Sequence, residues 1–277
     1  MRLVILFCLV SVAALAELPL SSQRSGPFDL AVTGRLAGVP AGETRYVKWA
    51  DLRQLPTTRL HLQGEFVKGD QEVTVVFLET LWKLLPRGPG ADTVLAICDD
   101  GYAAVYREAF LKECRPFVVL EINGQGPDRW PPPGLSFNPG PYVISVSAAV
   151  APAVGQLLDP GHKRPWGVTT IEVANYADRF ADIYRGKWAH LSARAQAGRD
   201  IWVNSCASCH SGPGSTFGGT KSGQPFPVLE ALAGANPGYF SRYVRAPTAV
   251  NPSAKMEAHP HYADAQMAAL IAFMGAQ

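Results

Sequence analysis

The segment best equipped for chemistry is Cys206-Ala207-Ser208-Cys209-His210. Two thiols spaced by two residues and followed at once by an imidazole suit covalent attachment of a haem. The thiols reach two vinyl groups on one porphyrin edge, and the His turns its ring under the iron. Random placement of five Cys and six His over 277 residues yields this pattern about 0.002 times, so coincidence is a poor explanation. Two other uses of C-x-x-C compete. A redox-active dithiol opens a helix after a strand, whereas residues 195–204 read as a helix leading into the motif. A zinc site needs four ligands, and no second C-x-x-C or spaced His pair follows. One covalent haem c is the expected cofactor.

An iron held by His210 needs a second axial donor, and the downstream candidates are Met256, Met267, Met274, His259 and His261. Met267 and Met274 lie one heptad apart in an apolar helical pattern with Leu270, Ile271 and Phe273, which is the signature of core packing. Met256 sits in a Pro-rich irregular stretch able to bring a thioether to a metal. A His would also be sound chemistry, and His259 and His261 lie close enough to compete. Met256 is the favoured donor, with the two His read as surface residues near the haem edge. With both axial positions filled, the iron has no vacancy for substrate, and its useful reaction is exchange of one electron.

These groups need elements to hold them. Gly198 in the helix before the motif lets the last helix approach closely, against Leu270 or Phe273, while Trp202 fills the gap one turn on. The loop from Ser211 to Gln224 contains five Gly and one Lys, and suits wrapping a porphyrin edge with backbone. Arg242 and Arg245 suit either haem propionates or a solvated helix face. The tail over residues 194–277 resembles a class I c-type cytochrome. The carrying features are Gln196 to Trp202 before the motif, Tyr239 to Pro247, Asn251-Pro252-Ser253-Ala254-Lys255-Met256, and Tyr262 to Gly275. The resemblance implies thioether bonds at Cys206 and Cys209, His210 as proximal ligand and Met256 as distal ligand. It also implies a carbonyl near Pro227-Val228-Leu229 accepting the His N–H, and a haem pocket lined by Trp202, Pro227, Leu229 and Arg245.

Composition bounds the rest. The chain is 47% hydrophobic and 17% charged with a net charge of +2, which argues against disorder and offers no basic stripe for phosphate. Nucleic acid is not an expected partner. Residues 1–16 combine Arg2, an apolar run and Ala14-Leu15-Ala16, and read as a secretory signal that removes Cys8. The expected location is therefore periplasmic or otherwise exported, with no membrane span after cleavage.

Residues 26–185 carry strand-like runs at 72–77, 93–97, 117–122 and 142–146, with short helices expected at Leu78 to Leu85 and Tyr106 to Cys114. Ile171 to Leu191 reads as a polar strand or helix leading out. This part resembles the molybdopterin-binding fold of the sulfite-oxidase type, through Trp49-Ala50-Asp51-Leu52, Leu81 to Leu85, Asp99-Asp100-Gly101-Tyr102 and Ile122-Asn123-Gly124. The family's metal-ligating Cys has no counterpart around Arg59 to Gly64, so the resemblance implies a scaffold without its metal. The expected fold class is α+β: a mixed, β-rich domain over 26–185, then an all-α cytochrome domain over 194–277. Cys98 and Cys114, in an exported chain, are candidates for a disulfide, with two buried free thiols as the alternative.

Three functional readings follow. The first is an exported electron carrier whose front part docks it to redox protein partners, and not an enzyme. The second is a molybdenum-dependent sulfite or sulfoxide oxidoreductase with a fused cytochrome. The third is a haem-linked ligand sensor. The missing Cys favours the first over the second.

Overall fold

The structure is a computed structural model that describes residues 17–64, 69–133, 135–215 and 217–276. The expected signal at 1–16, with Cys8, lies outside the described residues. Nine strands are described: β1 (Leu30–Gly34), β2 (Arg45–Val47), β3 (Thr58–Gln63), β4 (Asp70–Phe77), β5 (Thr93–Cys98), β6 (Ala103–Arg107), β7 (Phe117–Ile122), β8 (Tyr142–Ser145) and β9 (Trp166–Ala174). The helices among the described residues are α1 (Trp49–Leu52), α2 (Leu78–Leu84), α3 (Glu108–Cys114), α4 (Tyr176–Arg179), α5 (Ala193–Asn204), α6 (Phe226–Ala235), α7 (Pro237–Arg245), α8 (Pro247–Val250) and α9 (Asp264–Met274). None of them is long and apolar enough to cross a membrane.

All strands join one sheet in the order β2-β1-β9-β8-β7-β4-β3, and the β5–β6 hairpin is attached through β5 to β9. The β1–β9 pair is parallel, and the other pairings are antiparallel. Successive residues on a strand face opposite sides. Along β5, Val94, Ala96 and Cys98 therefore enter the main core with Leu81, Trp82 and Ile144, while Leu95 points the other way. In the β4–β7 region, Val75, Phe117 and Val119 form a further cluster with Trp130 and Val143.

The expected split into a β-rich domain followed by an all-α cytochrome domain is corrected by this arrangement. The chain forms a mixed nine-stranded sheet with helices distributed along it, and no separate all-α unit stands out over 194–277. Leu95 of β5, Val105 of β6 and Ala174 of β9 share one apolar cluster with Trp202, Phe226, Leu270 and Phe273. The physical reason is two-sided burial: α5 and the Cys206–Ser208 turn lie against β6, and α9 packs on α5 within the same apolar cluster, so sheet and helices stabilise each other. Two element limits also differ. Tyr106 and Arg107 end β6 and do not begin α3, and Ile171 to Ala174 belong to β9.

Candidate functional site

Helix α5 starts where the Ser192 hydroxyl accepts the Ala195 N–H at 3.3 Å, and it runs directly to the C-x-x-C-H segment. The chain then tightens into a 3-10 turn over Cys206–Ser208, with the N–H groups of Cys209 and His210 donating to the Cys206 carbonyl at 3.1 and 2.9 Å. Residues three apart in such a turn stack above one another, so Cys206 and Cys209 share one side. Both thiols are free. Burial, with Asp159 nearby, pushes Cys206 up to about 12, and burial pushes Cys209 up to about 11. Protonated thiols of this kind are the opposite of the low-pKa pair that a disulfide oxidoreductase uses.

The His210 Nδ1–H donates to the Gln224 carbonyl at 3.5 Å. Burial lowers the His210 pKa, against a smaller opposing effect of that hydrogen bond. Burial thus favours the neutral imidazole, and since a carbonyl only accepts, the tautomer with its proton on Nδ1 suits this contact and leaves the Nε2 lone pair for a metal. The carbonyl expected at 227–229 is corrected to Gln224, just before the Pro225 that caps α6. Pro227 and Leu229 lie inside α6, where carbonyls enter the helical ladder. The Pro227 side chain is exposed, and Leu229 packs partly buried against the apolar cluster. Trp202 is buried against Phe226 at 5.0 Å between ring centroids, and its Nε1 has no hydrogen-bond partner among the described residues.

Met256 is partly buried against the cluster that contains Trp202, Phe217, Phe226 and Tyr262. Met267 and Met274 are fully in that core, as helical spacing predicted. Arg245 donates from Nε to the Tyr262 carbonyl at 2.8 Å and pairs with Asp264 at 2.6 Å, so its guanidinium ties α7 to α9. The reading of His259 as a surface residue is corrected. It is buried, its ring stacks on His162 at 5.3 Å, and its Nδ1 lies 3.5 Å from Asp159. His261 is half-exposed and holds the same Asp159 carboxylate at 2.6 Å. Neither Asp159 nor the carbonyl of Gln224 had a local sequence signal, the first standing alone between Leu158 and Pro160.

The β5–β6 turn docks onto the loop after the motif. The Thr220 N–H donates to the Gly101 carbonyl at 2.8 Å, and Lys221 Nζ lies 2.5 Å from Asp100 Oδ2. Gly101 has φ +83°, and a Cβ there would lie 2.4 Å from Thr220 Oγ1, so the contact requires glycine. Beside it, a cleft of about 350 Å³ is lined by Asp100, Tyr102, Phe137, Arg164, Trp166 and Lys221 among others. Of the two alternatives for Cys98 and Cys114, the structure has the free, buried thiols, in different apolar clusters: Cys98 on β5 beside Val168 of β9, and Cys114 against Val146 and Val154. Burial, with Asp100 and Asp99 nearby, pushes the Cys98 thiol up to about 12.

The donor set fits a covalent haem: two free thiols on one side of a turn, a neutral imidazole with Nε2 available, a thioether on the same apolar cluster, and an unpartnered indole N–H. No protein-family model matches the chain, and no curated protein matches it.

Proposed function

We propose that the chain is an exported single-electron carrier of the c-type cytochrome kind, with one haem c bound through Cys206 and Cys209 and ligated by His210 and Met256. The observation that carries this reading is the Cys206-Cys209-His210 turn with the His210 Nδ1 proton committed to the Gln224 carbonyl. Held by His210 and Met256, a haem iron would supply one-electron exchange, at a potential that a Met ligand raises.

The chain's own residues have distinct parts in this proposal. Cys206 and Cys209 would hold the porphyrin edge through thioether bonds. The Gln224 carbonyl orients the imidazole and raises its basicity, while burial keeps it neutral. His259 and His261 are engaged by Asp159, which leaves Met256 as the available distal donor. Trp202, Phe217 and Phe226 keep water from the site. The sheet, held to the motif through Gly101 and Asp100, serves as the scaffold that presents this site to redox protein partners. The molybdenum reading gains no support from the thiols, since Cys98 and Cys114 are both core residues with raised pKa.

The ligand-sensor reading is favoured by one observation, the cleft beside Lys221 and Tyr102. Carbon monoxide binding by the reduced protein, followed with a potentiometric titration, tests the carrier reading. A one-electron wave with no carbon monoxide adduct supports it. Rapid adduct formation contradicts it, because an axial position would then be open.

A further inference from the structure

Asp159, His259 and His261 converge from two distant parts of the chain. Asp159 immediately precedes the 3-10 turn at Pro160–Lys163, and the two His lie in the segment before α9. Their nearest ligand atoms all lie within 4.8 Å of one another. Oδ1 of Asp159 is 2.6 Å from His261 Nε2 and 3.5 Å from His259 Nδ1. A tetrahedral zinc ion with bonds of about 2.1 Å sets its ligand atoms about 3.4 Å apart, so both separations are within about 1 Å of that geometry.

The carboxylate is prepared for a cation. Its side chain is only 6% exposed. Ser205 Oγ donates to Oδ2 at 2.6 Å and the Tyr262 hydroxyl donates to the same oxygen, so Oδ2 is oriented by the protein while Oδ1 faces the two imidazoles. Outer hydrogen bonds of this kind fix metal-ligating carboxylates. The His162 ring stacks on His259, is 7% exposed, and its Nε2 has no hydrogen-bond partner among the described residues. His261, whose side chain is 46% exposed, provides the entry path.

We propose that Asp159, His259 and His261 form a metal site distinct from the haem-attachment motif, holding one borderline divalent cation such as Zn²⁺ through Oδ1, Nδ1 and Nε2. Two imidazole nitrogens with one carboxylate oxygen select ions of the zinc and copper type over calcium or magnesium. The site stands whether or not His210 holds iron, because none of its ligands belongs to that motif.

Calorimetric titration of Zn²⁺ into the full, tag-free protein after chelator treatment tests this. One equivalent of Zn²⁺ binding at micromolar or lower concentration is expected, with a rise in the thermal midpoint. His261→Ala, a half-exposed change that spares the core, weakens binding by about tenfold or more, and Asp159→Asn weakens it further. X-ray absorption at the zinc edge shows a first shell of nitrogen and oxygen donors without sulfur. Absence of saturable binding, or equal binding by the parent and the His261→Ala protein, overturns the proposal.

Discussion

Gly198 of α5 and Ala269 of α9 meet backbone to backbone, so close that a Cβ on Gly198 would lie 1.9 Å from the Ala269 carbonyl oxygen. This crossing sets where α5 delivers the Cys206 turn relative to the last helix. Alanine is a better helix former than glycine by about 1 kcal/mol. The clash is with backbone, however, which cannot swing aside as a side chain can. Gly198→Ala is therefore expected to destabilise by about 2 kcal/mol, as overpacking does. Denaturant midpoints check this, and an unchanged or higher midpoint contradicts the close crossing.

Lys163 is buried, with Nζ donating to the Val105 carbonyl at 2.8 Å and to Asn204 Oδ1 at 3.1 Å. Burial pushes its pKa down from the ordinary 10.5 to about 8. Between those values the unfolded chain holds more protons on this group than the folded one, so its contribution to stability rises with pH. Below pH 8 the full cost of burying the ammonium is present. The stability of Lys163→Met minus that of the parent is expected to fall by about 3 kcal/mol from pH below 8 to pH above 10.5. Unfolding curves across that range check it, and a gap that does not vary with pH contradicts it.

Met256→Ala is expected to remove the sulfur-to-iron charge-transfer absorption of the oxidised protein. It should also lower the reduction potential by on the order of 0.1 V, within the ~0.8 V over which axial ligands set haem potentials. An unchanged spectrum reassigns the distal ligand to His259 or His261, and would require the Asp159 network to open.

Cys98 and Cys114 are free, while Cys206 and Cys209 become thioethers in the proposed state. Denatured, unreduced protein from the exported fraction is therefore expected to yield two titratable thiols from the four cysteines after residue 16. A yield of none would mean that Cys98 and Cys114 are bridged, and four would mean that no haem is attached.

Much of the sheet was legible because β-branched runs are a local signal. Residues 72–77 and 117–122 fall within or on β4 and β7, and Leu78 to Leu85 is α2 with one residue to spare. The run at 93–97 read as a strand, but no local signal says what packs against its two faces. Leu95 shares its cluster with residues of α5, about a hundred positions away in sequence, and of α9, about 170 away. The parallel β1–β9 pairing is equally non-local. Within the candidate site, spacing singled out Cys206, Cys209 and His210, and the need for close helix packing singled out Gly198, whose neighbour is the Ala269 backbone where Leu270 or Phe273 was expected. Gln224 was not, because a backbone carbonyl leaves no residue-type signature. His259 was misplaced because a His-Pro-His stretch looks solvent-bound until its carboxylate partner, Asp159, is folded against it.

The most direct test of haem attachment is acid–acetone extraction of the protein produced with a haem c maturation system, beside the Cys206→Ala/Cys209→Ala variant. The parent chain is expected to keep its haem through extraction, and the double variant to release it into the organic phase. Extractable haem in the parent, or haem retained covalently by the double variant, contradicts attachment through Cys206 and Cys209.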